Sequence, residues 1–256
     1  MTFTKKAAAL SALLLIAGHA AAAGLTATVS NLQIQVFDLT PDDGIAASFT
    51  LVGSQIGSAT TYTASGLLDS QGGLTAQASL SGTGLSALAS VSGVAGSPTS
   101  FSLMASLNSA LPSPYGDAGA QALAGFNVLV SPGTLILMSA NTHVAVNGSD
   151  IVDNTDLMSQ ASLRFLQPGD GVTVGSTGTR QAFASFGAGT LTPSSSGLLS
   201  ASFANYSAEA TRLQARLSVS TGLATPIAAV PEPSSLALLA AGGALVFGAA
   251  RRRKAA

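Results

Sequence analysis

The 256-residue sequence predicts an all-β fold: an antiparallel β-sandwich of jelly-roll type, exported, with an N-terminal signal helix and a C-terminal transmembrane helix. Three observations carry this. Apolar residues recur at every second position through the middle of the chain, the period of half-buried strands. Clusters of Gly, Pro, Ser and Asp punctuate these runs at short intervals, as hairpin and corner turns require. The amphipathic helices that parallel βαβ units need between their strands are missing from the pattern.

Residues 1–23 have the layout of a secretory signal. Lys5 and Lys6 precede an apolar core from Ala7 to Ala17, and Ala21, Ala22 and Ala23 form a small-residue cleavage site before Gly24. The expected mature start is therefore Gly24, with signal peptidase as the processing partner.

An exported domain is expected over residues 24–221. Leu32, Ile34 and Val36 alternate with glutamines, and Ile45, Ala47, Phe49 and Leu51 alternate with small or polar residues. Between them Thr40-Pro-Asp-Asp-Gly44 reads as a five-residue turn, so the two runs predict a hairpin. The same alternation predicts strands over 74–80, 85–91, 101–107, 134–146, 157–165, 180–186, 199–203 and 213–219, about ten strands in all. Residues 208–217 also place Glu209, Arg212 and Arg216 at helical spacing. The strand reading is preferred because the alternation of Leu213, Ala215, Leu217 and Val219 runs on past them. The Ser/Gly/Thr/Ala-rich stretch 65–97 reads either as an edge-strand pair or as partly mobile.

Residues 222–233 contain Pro226, Pro231 and Pro233 and read as a semi-rigid spacer. Ser234 to Ala250 carry no charge, and as a helix these seventeen residues reach about 26 Å, enough to enter and narrowly span a bilayer core. Arg251, Arg252, Arg253 and Lys254 follow, and four cations hold the end of the chain, residues 251–256, on the cytoplasmic side. The two prolines of Pro231-Glu232-Pro233 keep that tripeptide extended at the outer surface, in the form a protease reads.

This order, Val-Pro-Glu-Pro-Ser-Ser-Leu, a short apolar span and a terminal Arg cluster, resembles the PEP-CTERM sorting domain of Gram-negative exopolysaccharide-producing bacteria. The resemblance covers residues 230–254. It implies that an exosortase recognises Pro231, Glu232 and Pro233, and that the protein is first an inner-membrane-anchored precursor and then reaches the cell surface, the medium or a biofilm matrix. Exopolysaccharide is an implied partner. The stretch from Leu32 to Leu51 is also similar to the opening of some exported proteins of this kind, with Thr40 where their turn often has Asp.

Charge and composition limit the activities. Six of the ten basic residues lie in the two terminal signals, which leaves Arg164, Arg180, Arg212 and Arg216 against ten acidic residues between Gly24 and Ala229. That balance argues against nucleic acid as a partner. No cysteine occurs, which excludes disulfides, thiol nucleophiles and Cys-ligated metals. His143 is the one histidine outside the signal, placed by the alternation on a polar strand face with Ser139 and Asn141. It is a solvated strand residue or a general base. No Gly-x-Ser-x-Gly elbow accompanies it, and Glu209 is the single glutamate before the spacer. No catalytic residue is assigned, and the chain is read as non-enzymatic.

Asp150, Asp153, Asn154 and Asp156 form the densest group of oxygen ligands and are the candidate calcium site, with Asp38, Asp42 and Asp43 as a second one. Solvated turns use the same residues. No other cofactor is expected. A calcium-stabilised adhesin or carbohydrate-binding module and a secreted hydrolase are the alternative functions. For a sugar-binding surface the chain offers no Trp and only Tyr62, Tyr115 and Tyr206. Asn147-Gly-Ser149 and Asn205-Tyr-Ser207 match the N-glycosylation pattern.

Overall fold

A computed structural model describes residues 21–111, 116–149, 155–169, 171–185 and 192–224. The signal segment, the spacer, the apolar span and the basic tail lie outside them, as do Asp150, Asp153 and Asn154 of the calcium candidate.

Thirteen strands are described: β1 (Ala21–Asp38), β2 (Phe49–Leu51), β3 (Ile56–Thr63), β4 (Leu68–Gly72), β5 (Ala76–Gly82), β6 (Leu85–Val94), β7 (Ser97–Leu111), β8 (Ala118–Val130), β9 (Thr134–Ser149), β10 (Asp156–Leu166), β11 (Thr173–Ser185), β12 (Ser194–Asn205) and β13 (Thr211–Ala224). They form two sheets in which every pairing is antiparallel. One has the order β12-β9-β1-β7-β6-β5, the other β11-β10-β13-β8-β3-β4, with β2 on the end of β8. The residues at 208–210 precede β13, and the strand reading of that region holds.

The core lies between the sheets and is built by strict alternation. In β13, Leu213, Ala215, Leu217, Val219, Thr221 and Leu223 are buried while the residues between them are not. β8 buries Ala118, Ala120, Ala122, Ala124, Phe126, Val128 and Val130 on the same period, and Gly119 and Gly125 between them are buried as well. Much of this interior is alanine, so the larger side chains fill what alanine leaves. Phe101 of one sheet and Phe126 of the other stack at 6.3 Å between ring centroids. Gly93 makes room for that ring: a Cβ there would come within 2.6 Å of Phe101.

Two strands have no counterpart in the sequence reading, β3 and β8. The expected hairpin across Thr40–Gly44 is also corrected. β1 pairs with β7 and β9, whereas Phe49–Leu51 pair with Val130–Val128 of β8, in the other sheet. The turn is a crossover between layers: Phe37 and Asp38 at the end of β1 pair with Leu135 and Thr134 of β9 in one sheet, and the chain resumes in the other. The stretch 65–97 forms strands, though not one edge-strand pair: β4 and β5 are edge strands of different sheets, and β6 lies inside the first sheet.

Both open edges of the sandwich are sealed by polar side chains. At one, Asp69 of β4 accepts a hydrogen bond from the Ser79 N–H of β5 at 2.8 Å. At the other, Arg180 of β11 reaches the opposite sheet: its Nε donates to Thr142 Oγ1 at 2.9 Å and its guanidinium also donates to Ser195 Oγ at 2.6 Å. Such caps remove the free strand edges on which chains aggregate.

The chain enters and leaves the sandwich at one end. Ala22 of β1 pairs with Ser149, and Ala224 of β13 pairs with Asp156 at the start of the next strand. β1 takes in Ala21, Ala22 and Ala23 from the segment read as signal. β13 takes in Gly222, Leu223 and Ala224 from the segment read as spacer.

Candidate functional site

His143 lies on the outer face of the first sheet, where β9 is paired with Thr28 of β1 and Ser196 of β12. Its Nδ1 is 2.6 Å from Ser196 Oγ, and the pair is exposed. A serine next to an imidazole is the start of a nucleophile and base arrangement. A carboxylate that would orient the ring is the part this pair lacks among the described hydrogen bonds, and the face is a flat ladder rather than a cleft. The geometry is that of a cross-strand pair.

The Asp38–Asp43 turn spends its carboxylates on itself. Asp38 Oδ1 accepts from the Thr40 N–H at 2.9 Å, and the two oxygens of Asp43 accept from the Thr40 hydroxyl at 2.6 Å and the Ile45 N–H at 2.7 Å. These bonds, the Thr40 hydroxyl first, hold the Asp43 carboxyl below the usual aspartate value. The turn is fixed to the β8–β9 corner by the Leu39 N–H, which donates to Gly133 O at 2.7 Å. Gly133 has φ 62°, and a Cβ on it would collide with Thr40 Oγ1. The carboxylates of Asp38 and Asp43 thus brace this turn. Among the described residues no three His, Asp or Glu side chains gather as a metal-holding group. Of the first calcium candidate, Asp156 is described; it is exposed at the start of β10, paired with Ser185 and Ala224.

The N-glycosylation pattern at Asn205 falls on a buried side chain. Asn205 is 2% exposed. Its amide nitrogen donates to Val130 O, Ser131 O and Glu209 O at 2.9–3.1 Å, and its oxygen accepts from the Ser207 N–H, the Ser207 hydroxyl and the Thr211 hydroxyl. The sequon spacing here is a turn device that ties the β12–β13 loop to the β8–β9 corner. Asn147, in contrast, is exposed on β9. Of the tyrosines, Tyr206 is exposed on the loop after β12, and Tyr62 lies over Gly119, where a Cβ would come within 2.6 Å of its ring.

Sequence reasoning missed Arg180 and Asn205. Arg180 sits in register with Ala182 and Ala184, and an arginine on an inward-facing row is the signal that points to an edge clamp. Asn205 carried its signal in the Ser207 and Thr211 hydroxyls that follow it, the residue types that close Asx turns.

The sorting residues follow β13 directly. Residues 229–254 match the protein family described as the PEP-CTERM protein-sorting motif, and the match begins five residues beyond Ala224. The chain therefore carries a PEP-CTERM sorting motif near its C-terminus, behind an all-β domain. No curated protein matches the chain.

Proposed function

We propose that this is a non-enzymatic exported protein whose β-sandwich is cargo for its own C-terminal signal. Residues 1–23 direct secretion, with cleavage between Ala23 and Gly24. Residues 234–250 hold the precursor in the inner membrane as a helix, and Arg251 to Lys254 stay in the cytoplasm. An exosortase reads Pro231, Glu232 and Pro233 and separates the sandwich from its anchor, for placement at the cell surface or in the extracellular matrix.

The observation that carries this reading is the sorting-motif match over 229–254. The position of that match supports it, since β13 ends at Ala224 and leaves only a few residues between the folded domain and the motif. The test is replacement of Pro231, Glu232 and Pro233 by alanine in a host with an exosortase. Uncleaved protein should accumulate in the membrane fraction, and the unaltered chain should show a mature C-terminus near Pro233 by mass spectrometry. Normal processing of the triple variant would reject the proposal.

A further inference from the structure

The outer face of the second sheet contains a pair of cations that the ladder alone does not account for. Arg164 of β10 and Arg216 of β13 are directly opposed partners, so their side chains project to the same face. Like charges directly opposite one another destabilise a sheet. The Nε of each is buried without a hydrogen-bond partner, and no ion pair to either is described. Burial first, and then the neighbouring Arg164, pulls Arg216 below the usual arginine value, though it stays charged.

The surroundings of Arg164 are open and largely polar. The β10–β11 register jumps from Leu163↔Gly178 to Phe165↔Val174, so Arg164 has no ladder partner on β11. The extra residues of β11 lean instead toward β12. The Ser202 N–H donates to Ser176 Oγ at 2.8 Å, and Gly175, at φ 72°, lies so close to Ser202 that a Cβ would collide with its carbonyl oxygen. This bulge leaves a groove of about 380 Å³ beside Arg164, lined by Gln160, Ser162, Leu163, Thr173, Thr177 and Thr179. On the other flank Arg216 pairs with Gly125, which has no side chain and leaves that place to Ile56 of β3. Bulges of this kind recur where a sheet shapes a binding site.

We propose that Arg164 and Arg216, with this groove, bind an oxyanion carried on a hydroxyl-rich ligand, an acidic saccharide. Two guanidinium forks match a carboxylate or a phosphate in bidentate fashion, and the threonine and serine hydroxyls and the Gln160 amide match sugar hydroxyls. Arg212, four residues from Arg216 and therefore on the same face of β13, adds to a local positive potential in an otherwise acidic exported region.

The experiment is titration calorimetry on the full chain in detergent at low salt, with trigalacturonate and inorganic phosphate as probes and galactose as the uncharged control. Saturable binding of trigalacturonate, weakened roughly tenfold or more in Arg164→Gln and Arg216→Gln, supports the site and its saccharide source. Binding of phosphate at equal affinity, with the same dependence on both arginines, supports the oxyanion site with a free anion as its source. Absence of binding by both probes at about 10 mM, or binding that survives both substitutions, overturns the proposal. Thermal unfolding of the unaltered chain gives a reading that does not depend on the variants' folding. Its midpoint should rise with a ligand that binds the native state, and a midpoint unmoved by both probes also overturns it.

Discussion

Arg180 Nε donates to Thr142 Oγ1 at 2.9 Å across the gap between the two sheets. The bond joins β11 to β9 over the intervening β12, whose Ser195 hydroxyl and Leu198 carbonyl take the other guanidinium donors. Gly197 of β12, at φ 141°, makes room: a Cβ there would come within 3.2 Å of the guanidinium. One side chain thus closes an edge that backbone ladders leave open. Arg180→Met keeps most of the apolar stem and removes every donor, so it should cost about 1–3 kcal/mol. Urea unfolding measures this, and an unchanged midpoint would show that the clamp contributes nothing.

A larger loss is expected at Asn205. Its amide reaches carbonyls of Val130, Ser131 and Glu209 from a position that water does not enter. Asn205→Ala should cost roughly 2–4 kcal/mol, because buried carbonyls then lose their donor. Asn205→Asp should cost more still, since a carboxylate would face three carbonyl oxygens. Equal unfolding midpoints for the two variants would contradict that order.

These two residues also show where sequence reading stops. The period-2 pattern made most strands legible because leucine and valine contrast with serine and glutamine, as in β13. β8 kept the same period but wrote it in Ala against Gly, Gln and Leu, and alanine is a poor strand signal. The turn after β1 was recognised, but its destination was not. A Pro-Asp-Asp-Gly turn sets local backbone angles, whereas whether the next strand joins the same sheet depends on which edges distant strands have already taken. His143 and Asn141 were placed correctly on an exposed face, since parity along a strand is local information, whereas Ser139 of the same row is buried. The bulge beside Arg164 was invisible, because it arises from the approach of β11 to β12.

Stability of the Thr40–Asp43 turn should depend on pH. Asp43 is held below the ordinary carboxyl value by the Thr40 hydroxyl and then the Ile45 N–H, so as pH falls the unfolded chain takes up this proton first. The stabilisation is complete above the unfolded value, about 3.9, and is lost as pH falls through the lower folded value. The unaltered chain should be more stable than Asp43→Asn at pH 6, with the gap narrowing below pH 4. Urea midpoints across that range test it, and a constant gap would contradict it.

The alanine-lined interior sets the closeness of the two sheets, and this can be probed at β8. Ala122 is fully buried between Ala120 and Ala124 on the inner face of a central strand. Larger residues already claim the free volume elsewhere, as Phe101 does against Gly93. Ala122→Leu therefore has to push the layers apart or force side chains out of their rotamers, at a cost of about 1–3 kcal/mol. Ala122→Ser keeps the volume and adds a hydroxyl that needs an acceptor, and so separates crowding from polarity. If crowding governs this core, the leucine variant should unfold at lower urea than the serine variant. The reverse order would mean that the interior has slack where the alanines lie, and that satisfying buried polar groups matters more to this sandwich than close packing does.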